Sequence, residues 1–217
     1  MGAVIRIHTS QLTERVEAAI PAEEIRALGI TYDALAGVAT SVGQSTEAYV
    51  LYTQSLAIDR RLADAEPGNT LYQRDLSVSY NKLADLAVAA GQGEEARRLF
   101  TQSLTIRQGL ADAEPGNTLY QRDLSVSYER LAALAMETKE AIEWLAVAAA
   151  CRRALHEQET QRIDLAVELA YFLYLLANVD RGRLADIERQ IIDLLHPFET
   201  VGTINARGVA ILRWARK

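Results

Sequence analysis

The chain is poor in the residues that build most catalytic and metal centres: it has one cysteine, three histidines, three lysines and four prolines in 217 positions. A single thiol, Cys151, excludes an internal disulfide framework and most cysteine-based metal sites, and it fits a reducing, cytoplasmic setting. His8, His156 and His196 are scattered, with neither the i, i+4 spacing nor the paired cysteines that a metal would need, so no metal or cofactor is expected. Ser77 and Ser79, with their copies Ser125 and Ser127, have no histidine at a fixed spacing that would activate them. Gly91-Gln92-Gly93 has neither a preceding strand nor the lysine of a phosphate loop. Enzymatic activity is therefore not expected.

Basic charge is also scarce. The formal net charge is −6, and nucleic-acid binding calls for clustered Lys and Arg on one face, so none is expected. The 20 arginines against Lys82, Lys139 and Lys217 fit a GC-rich bacterial genome better than a phosphate-binding design. The opening MGAVIRIHTSQ has no long apolar run and no small-residue cleavage site, so neither a signal peptide nor a membrane anchor is expected. Arg6 stands where a myristoylation start would need Ser or Thr. The abrupt entry into helical sequence is compatible with a module of a longer protein.

What the chain does have is repetition. LADAEPGNTLYQRDLSVSY runs from Leu62 to Tyr80 and again, letter for letter, from Leu110 to Tyr128, an offset of 48 residues. A diverged copy lies upstream: Tyr32, Leu35, Ala36, Gly43, Gln44, Glu47 and Ala48 stand 48 residues before Tyr80, Leu83, Ala84, Gly91, Gln92, Glu95 and Ala96. After Tyr128 the third copy loses about three residues before Glu140-Ala141, and a weak fourth begins near Asp164-Leu165, with Ala185 as the small residue of its second helix. A period of this size marks units that bury their apolar faces only against neighbours.

Each unit reads as two helices. Glu-Pro-Gly-Asn at 66–69 and 114–117 is a turn signal, followed by Thr70 with Gln73 and Thr118 with Gln121 at capping-box spacing. Gly91-Gln92-Gly93 breaks the pattern, and Glu94 and Glu95 then complement the dipole of the next helix. In the second unit helix A is expected over 70–90 and helix B over 94–114. All four prolines, Pro21, Pro67, Pro115 and Pro197, are expected between helices.

These positions resemble the tetratricopeptide signature. Tyr80, Leu83, Ala84, Gly91, Ala96, Phe100 and Ser103 match its large, Leu, small, turn-glycine, small, aromatic, small sequence. Tyr32, Leu35, Ala36, Gly43, Ala48, Tyr52 and Ser55 repeat it, as do Tyr128, Leu131, Ala132, Ala141 and Leu145 with a shortened turn. The usual period is about 34 residues, and the roughly 14 extra amount to two heptads, one per helix. The resemblance implies an all-α, right-handed α-solenoid of antiparallel helix pairs. It divides as a lead-in segment or helix at 1–21, repeats at 22–68, 69–116, 117–158 and 159–195, and a capping helix at 196–217. It also implies a non-catalytic scaffold or adaptor, or the sensing arm of a larger bacterial assembly, binding a peptide or protein on the concave surface lined by the A helices.

That surface is expected at Arg26, Asp33, Arg74, Val78, Asn81, Asp85, Arg122, Val126, Glu129 and Met136, spaced to keep one helix face. Arg26, Arg74 and Arg122 stand in register and admit two readings. They either wait for partner carboxylates, which a guanidinium fork suits, or pair with acids of neighbouring helices, Asp64, Glu66, Asp112 and Glu114 being available. Asp33, Asn81 and Glu129 form a more acidic row, which with Asp85 would repel the acidic chaperone tails that some members of the family clamp.

The stretch 164–179 is unusually apolar. It is either sandwiched by the C-terminal cap or exposed as a homodimer surface around Phe172, Tyr174 and Leu175. The cap, with Ile204, Ala210, Ile211 and Trp214 between Arg207, Arg213, Arg216 and Lys217, is a basic amphipathic helix. On an acidic protein it argues for closing the last repeat rather than touching a membrane.

Overall fold

The computed structural model describes residues 20–135, 139–158, 160–200 and 205–216. Among them the fold is all-α, nine helices and one 3₁₀ turn. The chain forms two compact units that divide between Gly91 and Gln92. The N-terminal unit contains α1 (Ala22–Ser41), α2 (Ser45–Ala65) and α3 (Thr70–Ala89), with α1 packed on α2 and α2 on α3. The C-terminal unit contains α4 (Gly93–Ala113), α5 (Thr118–Leu134), α6 (Lys139–Gln158), α7 (Ile163–Val179), the 3₁₀ turn Arg181–Arg183, α8 (Leu184–Thr200) and α9 (Ala206–Ala215). There too each helix from α4 to α8 packs on its successor, and α9 lies against both α7 and α8. Most of the lead-in segment, and the cap residues Ile204 and Lys217, lie outside the described residues.

The turn chemistry explains the helix starts, with one shift from expectation. Asn69, not Thr70, is the N-cap of α3: its Oδ1 accepts from the backbone N–H groups of Leu71 and Tyr72 at 3.2 and 3.4 Å. Asn117 caps α5 in the same way at 3.1 and 3.4 Å. Two orphan donors at each helix start are thus satisfied. Each asparagine amide also donates to the glutamate that opens its turn, Glu66 at 3.1 Å and Glu114 at 3.0 Å. Gln73 is thereby released from the box, and its side-chain amide donates to the Ala63 carbonyl. At the ends of α1 and α3, Gly43 and Gly91 take φ of 79° and 72°, the left-handed region that a Cβ disfavours.

The small and aromatic signature positions of the second unit lie in the core, as do the small ones of the first. Ala36, Ala48, Ala84 and Ala96 have no exposed surface, and Phe100 and Leu131 have 1%. Small side chains bring the helix axes together, and the large ones fill the space on either side. Gly29 shows how close the approach is: a Cβ there would stand 3.1 Å from Ile58.

In the C-terminal unit α7 is sandwiched. Leu165, Val167, Leu169, Phe172, Leu173 and Leu176 are buried, and they share one core with Ile187, Ile191 and Leu195 of α8 and Ile211 and Leu212 of α9. Two expectations are corrected here. Ala185 is exposed, because α8 turns Ile187, Ile191 and Leu195 inward at i, i+4, i+8 spacing. Pro197 lies inside α8, near enough to the helix end that the missing N–H costs a single bond in the last turn.

Candidate functional site

In the N-terminal unit the A-helix face is organised around a half-buried ion pair. Arg26 Nε of α1 stands 2.6 Å from Asp75 Oδ2 of α3, each side chain about a fifth exposed. The hydrogen bond to Asp75 holds the Arg26 guanidinium above its ordinary range. Beneath it lies Asp59 of α2, 7% exposed, which accepts a short hydrogen bond from the Ser79 hydroxyl. Burial pushes the Asp59 carboxyl up to about 6; Asp75 and Asp33 push the same way, while Ser79 and Arg26 oppose. Asp33 Oδ1 is buried without a hydrogen-bond partner. Asp75 and Asp59, from two helices, thus both act on the Arg26 guanidinium, and Asp33 acts on Asp59.

In the C-terminal unit the same register carries a different charge. Arg107 of α4 occupies the position 48 residues after Asp59. It is 5% exposed and donates to the Asp123 carbonyl at 2.8 Å and the Ser127 hydroxyl at 3.2 Å. With the three-residue deletion, Arg152 of α6 is the next member of the row, 4% exposed. Its guanidinium pairs with Glu168 of α7 and lies over the Phe172 ring at 5.2 Å. Burial pulls the Arg152 guanidinium below its ordinary range, with Glu168 opposing. Glu168 also accepts from Arg122 of α5, at 2.6 and 3.2 Å, so one carboxylate ties three helices together. Beside it a cavity of about 140 Å³ is lined by Thr118, Leu119, Arg122, Leu155, Arg162 and Leu165. Arg162 at its edge is engaged by Asp164 at 2.6 Å.

Arg26 and Arg122 accordingly form structural pairs, but not with the acids expected at the ends of the B helices. Their partners, Asp75 and Glu168, come from the next A helix. Arg74, Val78, Asn81, Asp85, Val126 and Glu129 are half-buried, and Met136 lies outside the described residues. Glu129 sits by Tyr171, whose hydroxyl is pushed up by burial first and by Glu129 next; the Arg207 guanidinium lies over that ring at 4.2 Å.

Of the three residues expected at either a sandwiched or a homodimer surface of α7, Phe172 is buried and Tyr174 and Leu175 are half-buried. Phe172 is 2% exposed, held between the Arg152 guanidinium and the edge of Tyr171, whose ring centroid is 5.8 Å away. Tyr174 meets Trp214 of α9 edge-on at 4.8 Å, and Leu175 packs against the same core. The C-terminal helices thus cover much of the apolar face of α7.

The buried row Asp59, Arg107, Arg152 is absent from the A-helix stripes because it belongs to the B helices. Its signal was nonetheless in the sequence: each member follows the aromatic or leucine of the apolar stripe, Tyr52, Phe100 or Leu145, by seven residues. Among the described residues no group of three or more His, Cys, Asp and Glu is placed to hold a metal, and no helix is long and apolar enough to cross a membrane.

No protein-family model and no curated protein matches the chain. Among solved structures, it is similar to BtubC (BKLC) from P. vanneervenii at 19% identity and a TM-score of 0.40, over 95% of this chain and 85% of that one.

Proposed function

We propose that this protein is a non-catalytic interaction module of tetratricopeptide type that holds a peptide or partner protein on its A-helix face. The observation that carries the reading is the make-up of that face. Arg26 and Arg122 are neutralised by acids of the next A helix within their own units, while Val78 and Asn81 in the N-terminal unit and Val126 and Glu129 in the C-terminal unit stay half exposed. Apolar and polar groups alternate there on a frame of buried helix pairs, the composition of a recognition surface rather than a reaction centre. With its arginines internally paired, the face offers a partner hydrogen bonds and apolar contact more than a ladder of cations. An adaptor or sensing arm within a bacterial, cytoplasmic assembly is the setting this reading favours.

The test is capture of cross-linked partners from cell extract by the wild-type chain and by Val126→Glu and Asn81→Ala. The reading predicts a partner retained by the wild type and lost from both variants at unchanged helicity. Equal capture by all three would place the partner on another face and sink the proposal.

A further inference from the structure

α1, the first of the described helices, leaves open at Leu28, Thr31 and Leu35 a face that its repeat-equivalents bury. Leu28, Leu35 and Val38 of α1 and Val42, the C-cap that follows it, are 48%, 50%, 61% and 64% exposed, and Thr31 between them is exposed as well. In α3 the corresponding Leu76, Ser79 and Leu83 are 7%, 2% and 5% exposed, covered by α2. In α5 the corresponding Leu124, Ser127 and Leu131 are 4%, 0% and 1% exposed, covered by α4. At Leu28, Thr31 and Leu35 the α1 surface therefore has the register of a helix–helix seam without the helix, and Val38 and Val42 extend it with exposed apolar side chains. Scattered exposed leucines are ordinary; a continuous apolar stripe along one helix is not.

We infer that this face pairs with the same face of a second copy of the chain, α1 against α1, about a two-fold axis near Leu35. Three observations single out a second copy. The stripe at 28, 31, 35, 38 and 42 has the 3-4-3-4 spacing of a coiled-coil seam, which is complementary to itself. Charge on α1 is confined to Glu23, Glu24, Arg26 and Asp33. An antiparallel pair sets Val42 opposite Leu28 and keeps the two Glu23-Glu24 ends apart, with the helix dipoles opposed. The other end of the chain is closed: Ile211 and Leu212 are 6% and 1% exposed. Among the described residues of that unit the large exposed apolar side chains are Leu119 and Val147, on different helices. No matching open face exists there for head-to-tail growth, which leaves the isologous contact. One five-residue stripe is small for a specific interface, so the dimer should form at micromolar concentrations and above.

Sedimentation equilibrium of the full chain across about 1 μM to 1 mM tests this, a range that spans the weak dimers expected for an interface of this size. The expected result is a mass rising from one chain to two, with Leu35→Glu and, separately, Val38→Glu shifting the midpoint at least tenfold upward at unchanged helicity. A monomer at every concentration overturns the inference, whatever else covers α1. A dimer that survives both substitutions overturns it too, by placing the contact elsewhere.

Discussion

Leu35 in α1 and Leu131 in α5 hold the same place in the repeat, two periods apart, yet one is 50% exposed and the other 1%. The residue type and helix register are alike, so the difference comes from the neighbour alone: α4 covers α5, and none of the described helices covers the outer face of α1. A repeat unit specifies a sticky face and leaves its burial to whatever comes next. At the C-terminal end that role falls to α8 and α9, and at the N-terminal end to a second copy on the reading above. The same contrast runs through the polar interior, where one position is filled by Asp59 in the N-terminal unit and by Arg107 and Arg152 in the C-terminal one.

The sharpest way to break this contrast is at Arg152. Replacing it by Ala strips the buried side of Glu168 and empties the space over Phe172, which should cost about 3–5 kcal/mol in urea unfolding. Arg122→Ala, on the more exposed side of the same carboxylate, should cost less than about 1 kcal/mol. Leu131→Ala should follow at about 2–5 kcal/mol, while Leu35→Ala, measured in dilute solution, should stay within about 0.5 kcal/mol. Equal losses at the two leucines would mean that α1 is covered within the chain.

The acid in the N-terminal unit should make stability fall with rising pH. The folded-state value of Asp59 is raised to about 6 from an ordinary 3.8, so its neutral form is the one the fold favours. Its contribution is fully present below about pH 4, is lost as pH climbs through about 6, and is flat above. Asp59→Asn should remove that slope and stabilise the protein at pH 7 by on the order of 2 kcal/mol. A pH profile unchanged by the substitution would contradict the assignment. A modest effect is expected at the turns: Asn69→Ala and Asn117→Ala should each cost about 1 kcal/mol in thermal unfolding, and unequal losses would show that the two identical turns are not equivalent in energy.

The helices themselves were legible because the 48-residue offset aligns Pro, Gly and Asn punctuation with apolar stripes, and α3 and α4 begin and end within a residue of expectation. The caps were missed by one position because Thr70 and Asn69 are both acceptable capping residues, and only the backbone geometry decides which one reaches Leu71 and Tyr72. Pairing was harder to read. Asp64, Glu66, Asp112 and Glu114 were expected as partners of Arg26 and Arg122, yet the pairs are made with Asp75 and Glu168, each from the next A helix of the same unit. The buried charges of the B helices went unread because a charged residue on an apolar stripe looks like a break in the stripe. Arg107 and Arg152 occupy it by donating to Ser127 and Glu168. Phe172 illustrates the limit from the other side, since an apolar helix announces burial without saying which surface provides it.

One measurement addresses the open and closed ends together: thiol labelling of Leu35→Cys in a Cys151→Ser background as a function of protein concentration, with Leu131→Cys alongside. The account predicts fast labelling of position 35 in dilute solution, slowing at least tenfold as the protein is concentrated, and slow labelling of position 131 throughout. A rate at position 35 that does not change with concentration would contradict it.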